Sequence, residues 1–175
     1  EILFLFILYL TLIISFFLGE NSTGGAIIDY NNQQSISKKF SENFLSTLLS
    51  FDSYNTRHSP VLIIFLSLFE KINLPDLLIR LIHLHICLLL PIFFYKCLIL
   101  KFNHTDKRIL FLLSSLIFLS PTFRSLAIWP DSRLLGLVLF TLSVFYFLKF
   151  DASKNFSYAI YNIFTLALSA YLSPN

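Results

Sequence analysis

The sequence has no methionine, only two cysteines and four glycines, and little charge, since Asp, Glu, Lys and Arg together make up 13% of its 175 residues. Soluble domains carry about 25% charged residues, so a water-soluble globule is excluded. Two cysteines are too few for a disulfide scaffold. Because natural chains start with methionine and this one starts with Glu1, we expect it to be a fragment of a longer protein.

Apolar and aromatic residues are abundant instead. Hydrophobic residues make up 56% of the chain and aromatic residues 17%, and the mean hydropathy is +0.74. This aromatic content excludes intrinsic disorder, and no phosphate-binding loop or basic motif indicates a nucleotide or nucleic-acid partner. The composition is that of an integral membrane protein, whose partner is the lipid bilayer.

Five apolar segments are candidates to cross the bilayer, because a transmembrane helix needs about 17–25 predominantly apolar residues. They are residues 2–18, 77–100, 109–123, 134–148 and 158–172. A sixth run, Val61 to Phe69, lies between Pro60 and Glu70 and is too short to cross. We therefore expect that run to form an interfacial or re-entrant helix.

The distribution of charge favours five spans. Basic residues exceed acidic ones in segments 96–108 and 149–154, whereas the loop 19–76 is acidic, so the positive-inside rule places the loop outside the cytoplasm. Within it, apolar residues from Phe40 to Phe51 recur at helical spacing beside lysines, which indicates an amphipathic interfacial helix. The predicted fold class is all-α, a multi-pass transmembrane helical bundle with an outer loop that carries interfacial amphipathic helices.

Two outer segments supply polar residues at the membrane surface. The residues in question are Asp29, Asp52, Arg57 and His58 in the loop, and Arg124, Asp131 and Arg133 near the turn between the third and fourth spans. Arginine binds phosphate with two parallel hydrogen bonds, and a carboxylate accepts a proton from a hydroxyl. Such a set suits a site for a phosphate-bearing lipid and a sugar or alcohol.

Most of these residues also have a purely structural interpretation. Asp29 suits a solvated turn, and Asp131 suits the N-cap of a helix. The pair Arg57 and His58 suits the start of a helix before a proline. Arg124 suits the belt of basic and aromatic residues at a membrane interface.

The second span contains the string RLIHLH, with Arg80, His83 and His85. Ionisable residues in a span are functional candidates, but two histidines two positions apart do not face one ligand on a helix. We therefore expect structural or substrate-lining histidines. Cys87 and Cys97 lie too far apart on one predicted helix for a disulfide, so we expect free thiols. No cofactor is predicted, and a divalent cation remains an open alternative.

Several short motifs occur in a recognisable order. They are RHSPVLIIFLSLFEKI at 57–72, Arg80-Leu81, Leu119-Ser120-Pro121 and Pro130-Asp131. Their order and spacing resemble the H-P-P-L, R-L and outer-turn elements of multi-spanning glycosyltransferases of the GT-C fold. The chain is most similar to the N-terminal module of the protein mannosyltransferases that use dolichyl-phosphate mannose, and of the bacterial aminoarabinose and lipopolysaccharide-core transferases.

The resemblance implies a polyprenyl-phosphate-linked sugar donor that is used on the outer face of the membrane. It implies that Asp29 is the general base, that His58 is the histidine of H-P-P-L and that Asp131 supports the site. Many relatives have an acidic pair where Tyr30 follows Asp29 here, and Asp52 remains an alternative base. The arginines that could stabilise the departing phosphate are Arg57, Arg124 and Arg133.

These observations predict a multi-pass membrane glycosyltransferase that moves a sugar from a polyprenyl-phosphate donor to a lipid, glycan or protein acceptor. We expect it in the bacterial inner membrane, with the loop 19–76 in the periplasm. The alternative functions are a non-enzymatic transporter or flippase-like module for lipid-linked glycans, and a structural or assembly subunit.

Overall fold

A computed structural model describes residues 2–22, 24–56 and 59–173, and the regular structure in these ranges is helical. The α-helices are α1 (Ile2–Leu18), α2 (Ala26–Glu42), α3 (Phe44–Leu49), α4 (Pro60–Lys71), α5 (Asp76–Cys87), α6 (Leu89–Lys101), α7 (Lys107–Ser115), α8 (Pro121–Ile128), α9 (Ser132–Ser153) and α10 (Phe156–Leu172). Two 3-10 helices cover Phe51–Tyr54 and Leu116–Leu119.

Among the described residues, two helices are long and apolar enough to cross a membrane. They are the run Asp76–Lys101, which combines α5 and α6 in 26 residues, and α9 with 22 residues. The helical segments Lys107–Leu119 and Pro121–Ile128 are long and apolar enough to cross a membrane only when they are combined. The chain bends by 63° between these two segments. The part of the chain that the structure describes is therefore all-helical with two or three candidate spans, and the five-span bundle stays a prediction.

The predicted span 109–123 is interrupted in the middle. The second 3-10 helix ends at Leu119, and α8 begins at Pro121. Proline has no backbone N–H to continue the preceding helix, but it suits the first position of a new one. The Ser120 hydroxyl caps this new helix by accepting a hydrogen bond from the backbone N–H of Phe123 (3.3 Å).

Neighbouring long helices run antiparallel. Near the end of α1, Phe16 lies against Arg80, and further back Tyr9 shares a hydrogen bond with His85 (3.0 Å), so α1 and α5 run in opposite directions. In the α9–α10 pair, the Ser169 hydroxyl donates to the backbone oxygen of Gly136 (2.8 Å). These pairings bring the end of α1, the start of α5, the start of α9 and the end of α10 to one end of the protein.

The polar loop 19–59 contains a helix that the sequence did not predict. Gly24, with φ +71°, ends the preceding turn, and α2 then begins at Ala26. Asp29 therefore lies in the first turn of a helix and not in a solvated turn. The helix forms because its apolar side, including Tyr30 and Phe40, is buried against α4.

The predicted amphipathic helix from Phe40 to Phe51 is divided between the end of α2, the short helix α3 and the start of the first 3-10 helix. Asn43 has an extended backbone, and its side chain accepts a hydrogen bond from the N–H of Ser46 (3.2 Å), so α2 ends and α3 begins at this residue. Leu45 and Leu49 of α3 are exposed, Leu49 by 87%. Their contact with a membrane interface remains a prediction.

Candidate functional site

A cluster of three charged side chains lies at the start of α9. Asp131 is the N-cap of this helix, and its Oδ1 accepts a hydrogen bond from the backbone N–H of Arg133 (2.7 Å). The Arg133 guanidinium turns back to the same carboxylate, with Nε 2.9 Å from Oδ1 and Nη2 2.6 Å from Oδ2. Nη2 also lies 3.1 Å from Oδ2 of Asp29, on α2. One guanidinium thus joins two carboxylates from distant parts of the chain.

Burial differs sharply across this cluster. The side chain of Asp131 is 1% exposed, that of Asp29 is 15% exposed and that of Arg133 is 44% exposed. The N-terminal end of α9 adds a partial positive charge beside Asp131. Asp131 is therefore held inside the protein, whereas Arg133 is open to a ligand from outside.

A buried histidine holds the turn from which Asp131 projects. His83 of α5 is 2% exposed, and its Nδ1 lies 3.0 Å from the backbone oxygen of Ala127. Its Nε2 accepts a hydrogen bond from the backbone N–H of Asp131 (3.5 Å), so Nδ1 carries the proton and donates to Ala127. His83 therefore connects α5 to both ends of the turn between α8 and α9.

A stacked cation lies beside this turn. The Arg80 guanidinium lies 3.5 Å from the centre of the Trp129 ring, and its Nε donates to the backbone oxygen of Ile128 (3.2 Å). The Tyr30 hydroxyl donates to the Asp76 carboxylate. Burial, and then the Asp76 carboxylate, raise the pKa of Tyr30 above its usual value of 10, so the hydroxyl stays protonated. These contacts fix α2 and α5 around the turn.

Arg124 lies in a second ion pair. Its Nε and Nη2 donate to the two carboxylate oxygens of Glu20, both at 2.9 Å, and its Nη1 donates to the backbone oxygen of Leu119 (3.1 Å). The hydrogen bond from Arg124 is the main cause that lowers the pKa of Glu20 from 4.5 to about 2. This pair joins the segment after α1 to α8, so Arg124 has a clear structural role.

A long apolar groove ends at the charged cluster. It has a volume of about 650 Å³ and lies between α6, α8 and α9, with Leu90, Phe94 and Leu137 among its walls. Ser120, Thr122 and Arg133 also line it. Along α9 it extends from Arg133 to Val144, about 16 Å at about 1.5 Å per residue. The groove has the shape and polarity for a hydrocarbon chain whose anionic end meets Arg133.

A polar pocket lies on the other side of Asp29. It has a volume of about 480 Å³ between α2 and the first 3-10 helix, and Asp29, Asn32, Lys39, Tyr54 and Asn55 are among its lining residues. Amides, hydroxyls and one charge of each sign suit a hydroxyl-rich ligand. Since Asp29 lines this pocket and Arg133 lines the groove, their ion pair connects the two spaces.

The structure brings together three of the predicted site residues, Asp29, Asp131 and Arg133. Arg124 lies in the separate pair with Glu20. Asp52 is exposed on the first 3-10 helix. The predicted residues Arg57 and His58 lie outside the described residues. Among the described residues there is no group of three or more His, Cys, Asp or Glu side chains that could hold a metal ion.

Comparisons with known proteins add no assignment. No protein-family model, curated protein or solved structure matches the chain. The case for a function therefore depends on the chemistry of the site itself.

Sequence reasoning missed Glu20 and Tyr30 as parts of this region. Glu20 follows the last turn of α1, and no local pattern indicates that it meets a residue 104 positions later. The position of Tyr30 weakly indicates a role in this region, because a tyrosine next to a candidate base is a natural hydrogen-bond donor. Neither residue has a motif that would have identified its partner.

Proposed function

We propose that the protein is a multi-pass membrane glycosyltransferase that transfers a sugar from a polyprenyl-phosphate donor. The ion pair between Asp29 and Arg133 carries this proposal, because it lies where an apolar groove and a polar pocket meet. A polyprenyl-phosphate sugar has the same order of parts: a hydrocarbon chain, an anionic phosphate and a hydroxyl-rich ring. The acceptor is a lipid, glycan or protein hydroxyl at the outer, periplasmic face of the bacterial inner membrane.

The proposed reaction uses one carboxylate and one guanidinium. Asp29 accepts the proton of the acceptor hydroxyl, and the hydroxyl oxygen forms a bond to the anomeric carbon of the sugar. The bond between that carbon and the phosphate oxygen breaks, and the lipid phosphate leaves with the electron pair. Arg133 stabilises the negative charge that develops on this oxygen.

Asp131 positions Arg133 for this step. Three contacts of 2.6–2.9 Å fix the guanidinium and backbone of Arg133 to the buried Asp131 carboxylate. A preorganised guanidinium loses little rotational freedom when the phosphate binds. Asp131 thus acts through Arg133.

The decisive experiment measures transfer of radiolabelled sugar in membranes that contain the full-length protein. We expect Asp29→Asn to abolish transfer and to leave membrane insertion unchanged. Glu42→Gln is the matched control, because Glu42 is an exposed carboxylate on the same helix, α2. If Asp29→Asn keeps full activity and Asp52→Asn loses it, the base is Asp52.

The role of the apolar groove in binding the hydrocarbon chain is tested separately, by a substitution that fills the groove with a larger side chain. Leu137 lines the groove, whereas Phe147 is exposed on the same helix and does not line it. Leu137→Trp should therefore weaken the binding of a polyprenyl phosphate in detergent or nanodiscs, and Phe147→Trp should not. Equal effects of the two substitutions would show that the chain binds elsewhere.

A transporter of lipid-linked glycans is the second candidate, and the bend of 63° between Leu119 and Pro121 favours it. Transporters often contain broken helices whose N-terminal ends point at an anionic substrate. The start of α8 contributes Ser120 and Thr122 to the groove, as such a mechanism would require. If the wild-type protein moves a fluorescent polyprenyl-phosphate sugar across liposome membranes and transfers none of it, this candidate replaces the transferase.

A further inference from the structure

We propose that the substrate phosphate displaces Asp29 as a partner of Arg133 when the donor binds. This inference rests on the proposed function. Nη2 of Arg133 contacts Asp131 and Asp29 at once. Two carboxylates therefore share the Nη2 atom of one guanidinium. A phosphate that binds Nη2 competes with these carboxylates for the same nitrogen.

Asp29 is the carboxylate that the phosphate displaces from Arg133. It contacts Arg133 through one oxygen, Oδ2, at 3.1 Å. Asp131 contacts both Nε and Nη2 of the same guanidinium and also the backbone N–H of Arg133, and it is 1% exposed. The contact with Asp29 is therefore the weaker of the two, and it is the one nearer to solvent.

The position of Arg133 allows the exchange. Its side chain is 44% exposed and lines the apolar groove, so a phosphate at the end of a hydrocarbon chain reaches it directly. Once the phosphate binds Nη2, the Oδ2 atom of Asp29 loses its hydrogen bond from Arg133. That oxygen can then accept a hydrogen bond, and later the proton, of an acceptor hydroxyl in the polar pocket.

Removal of an ordinary binding residue weakens ligand binding, and the exchange predicts the opposite for Asp29. If Asp29 competes with the phosphate for Arg133, its removal should tighten binding. The probe is a sugar-free polyprenyl phosphate with the full-length protein in phosphatidylcholine nanodiscs. We expect Asp29→Asn to lower the Kd about two- to fivefold, the range for one partly exposed ion pair.

A double-mutant cycle separates this competition from a general effect of charge. Arg133→Gln should weaken binding, and in that background Asp29→Asn should no longer change the Kd. Glu42→Gln removes one negative charge from the same helix and should leave the Kd unchanged.

Three outcomes would overturn the exchange. Weaker or unchanged binding in Asp29→Asn, with Arg133→Gln still impaired, would refute the exchange and leave the proposed phosphate site intact. Equal tightening by Asp29→Asn with and without Arg133 would indicate long-range charge alone. Absence of any binding by the wild-type protein would refute the lipid-phosphate substrate and the exchange together.

Discussion

The ion pair between Glu20 and Arg124 gives the most direct test of the structure. Both side chains are largely buried, with 20% and 23% of their surface exposed, and they share two hydrogen bonds of 2.9 Å. The Ser22 hydroxyl donates a further hydrogen bond to Glu20 (2.6 Å). Glu20→Gln keeps the size of the side chain and removes its charge, so it isolates the ionic part of this connection between α1 and α8.

The magnitude follows from the pKa. The lowering of the pKa of Glu20 from 4.5 to about 2 corresponds to an upper limit of about 3.5 kcal/mol, at about 1.4 kcal/mol per pKa unit. Because solvent screens a partly exposed pair, we expect about 1–2 kcal/mol. For a chain of this size that is a decrease in Tm of about 2–8 °C.

The pH dependence has a definite sign. A carboxylate whose pKa is lowered on folding stabilises the folded protein fully above its unfolded value of 4.5. The contribution is lost as the pH falls from there to about 2. Thermal unfolding of the wild-type protein and of Glu20→Gln in a mild detergent should therefore show a large difference in Tm at pH 7 and almost none near pH 2.

Two results would refute this reasoning. One is a difference in Tm between wild type and Glu20→Gln that stays the same size at pH 7 and near pH 2. The other is an undiminished effect of Glu20→Gln in the Arg124→Gln background, because two partners of one pair must show non-additive effects. Glu42→Gln, at an exposed position, controls for the loss of a negative charge.

Substitutions at three further positions, two of them with a control substitution, test other contacts by their effect on Tm. Gly136→Ala should cost about 1–3 kcal/mol, because its Cβ would lie 2.6 Å from Cβ of Ser173, and an unchanged Tm would refute the close approach of α9 and α10. His83→Leu should cost about 1–3 kcal/mol for each buried backbone group that it leaves without a partner, and His83→Gln should cost less. Asn43→Ala should cost about 1 kcal/mol through the lost cap of α3, whereas Asn32→Ala, at an exposed position within α2, should cost little.

The apolar helices could be predicted from the sequence because a long hydrophobic run specifies a helix without any partner. The segments 2–18, 77–100 and 158–172 agree with the helices within one or two residues. The predicted segment 134–148 ends before the observed helix does, since α9 continues through Lys149 and Asp151 to Ser153. Charged residues can extend a helix beyond the apolar core, so hydropathy underestimates its length.

The helix α2 could not be predicted in the same way. Its residues are mostly polar, and its apolar positions are meaningful only against α4, which buries Tyr30 and Phe40. Tertiary packing supplies most of the stability of such a helix. The N-cap role of Asp131, by contrast, was predicted from its position before Ser132 and Arg133 and is confirmed by the 2.7 Å hydrogen bond.

The composition of the charged cluster was predicted in part, but its pairings were not. Asp29 and Arg133 are 104 residues apart, as are Glu20 and Arg124. Short motifs identify the residues at each location, yet they carry no information on which carboxylate meets which guanidinium.

The ion pairs Glu20–Arg124 and Asp29–Arg133 differ in burial and in the number of hydrogen bonds, and we expect them to have different roles. The difference can be tested in one protein. Arg124 binds both oxygens of Glu20 and also backbone oxygens, and both side chains are mostly buried. Arg133 is exposed and contacts one oxygen of Asp29. Glu20→Gln should therefore lower the Tm without changing the affinity for polyprenyl phosphate. Asp29→Asn should raise that affinity, and a protein in which both substitutions had the same effect on the affinity would contradict the division of roles.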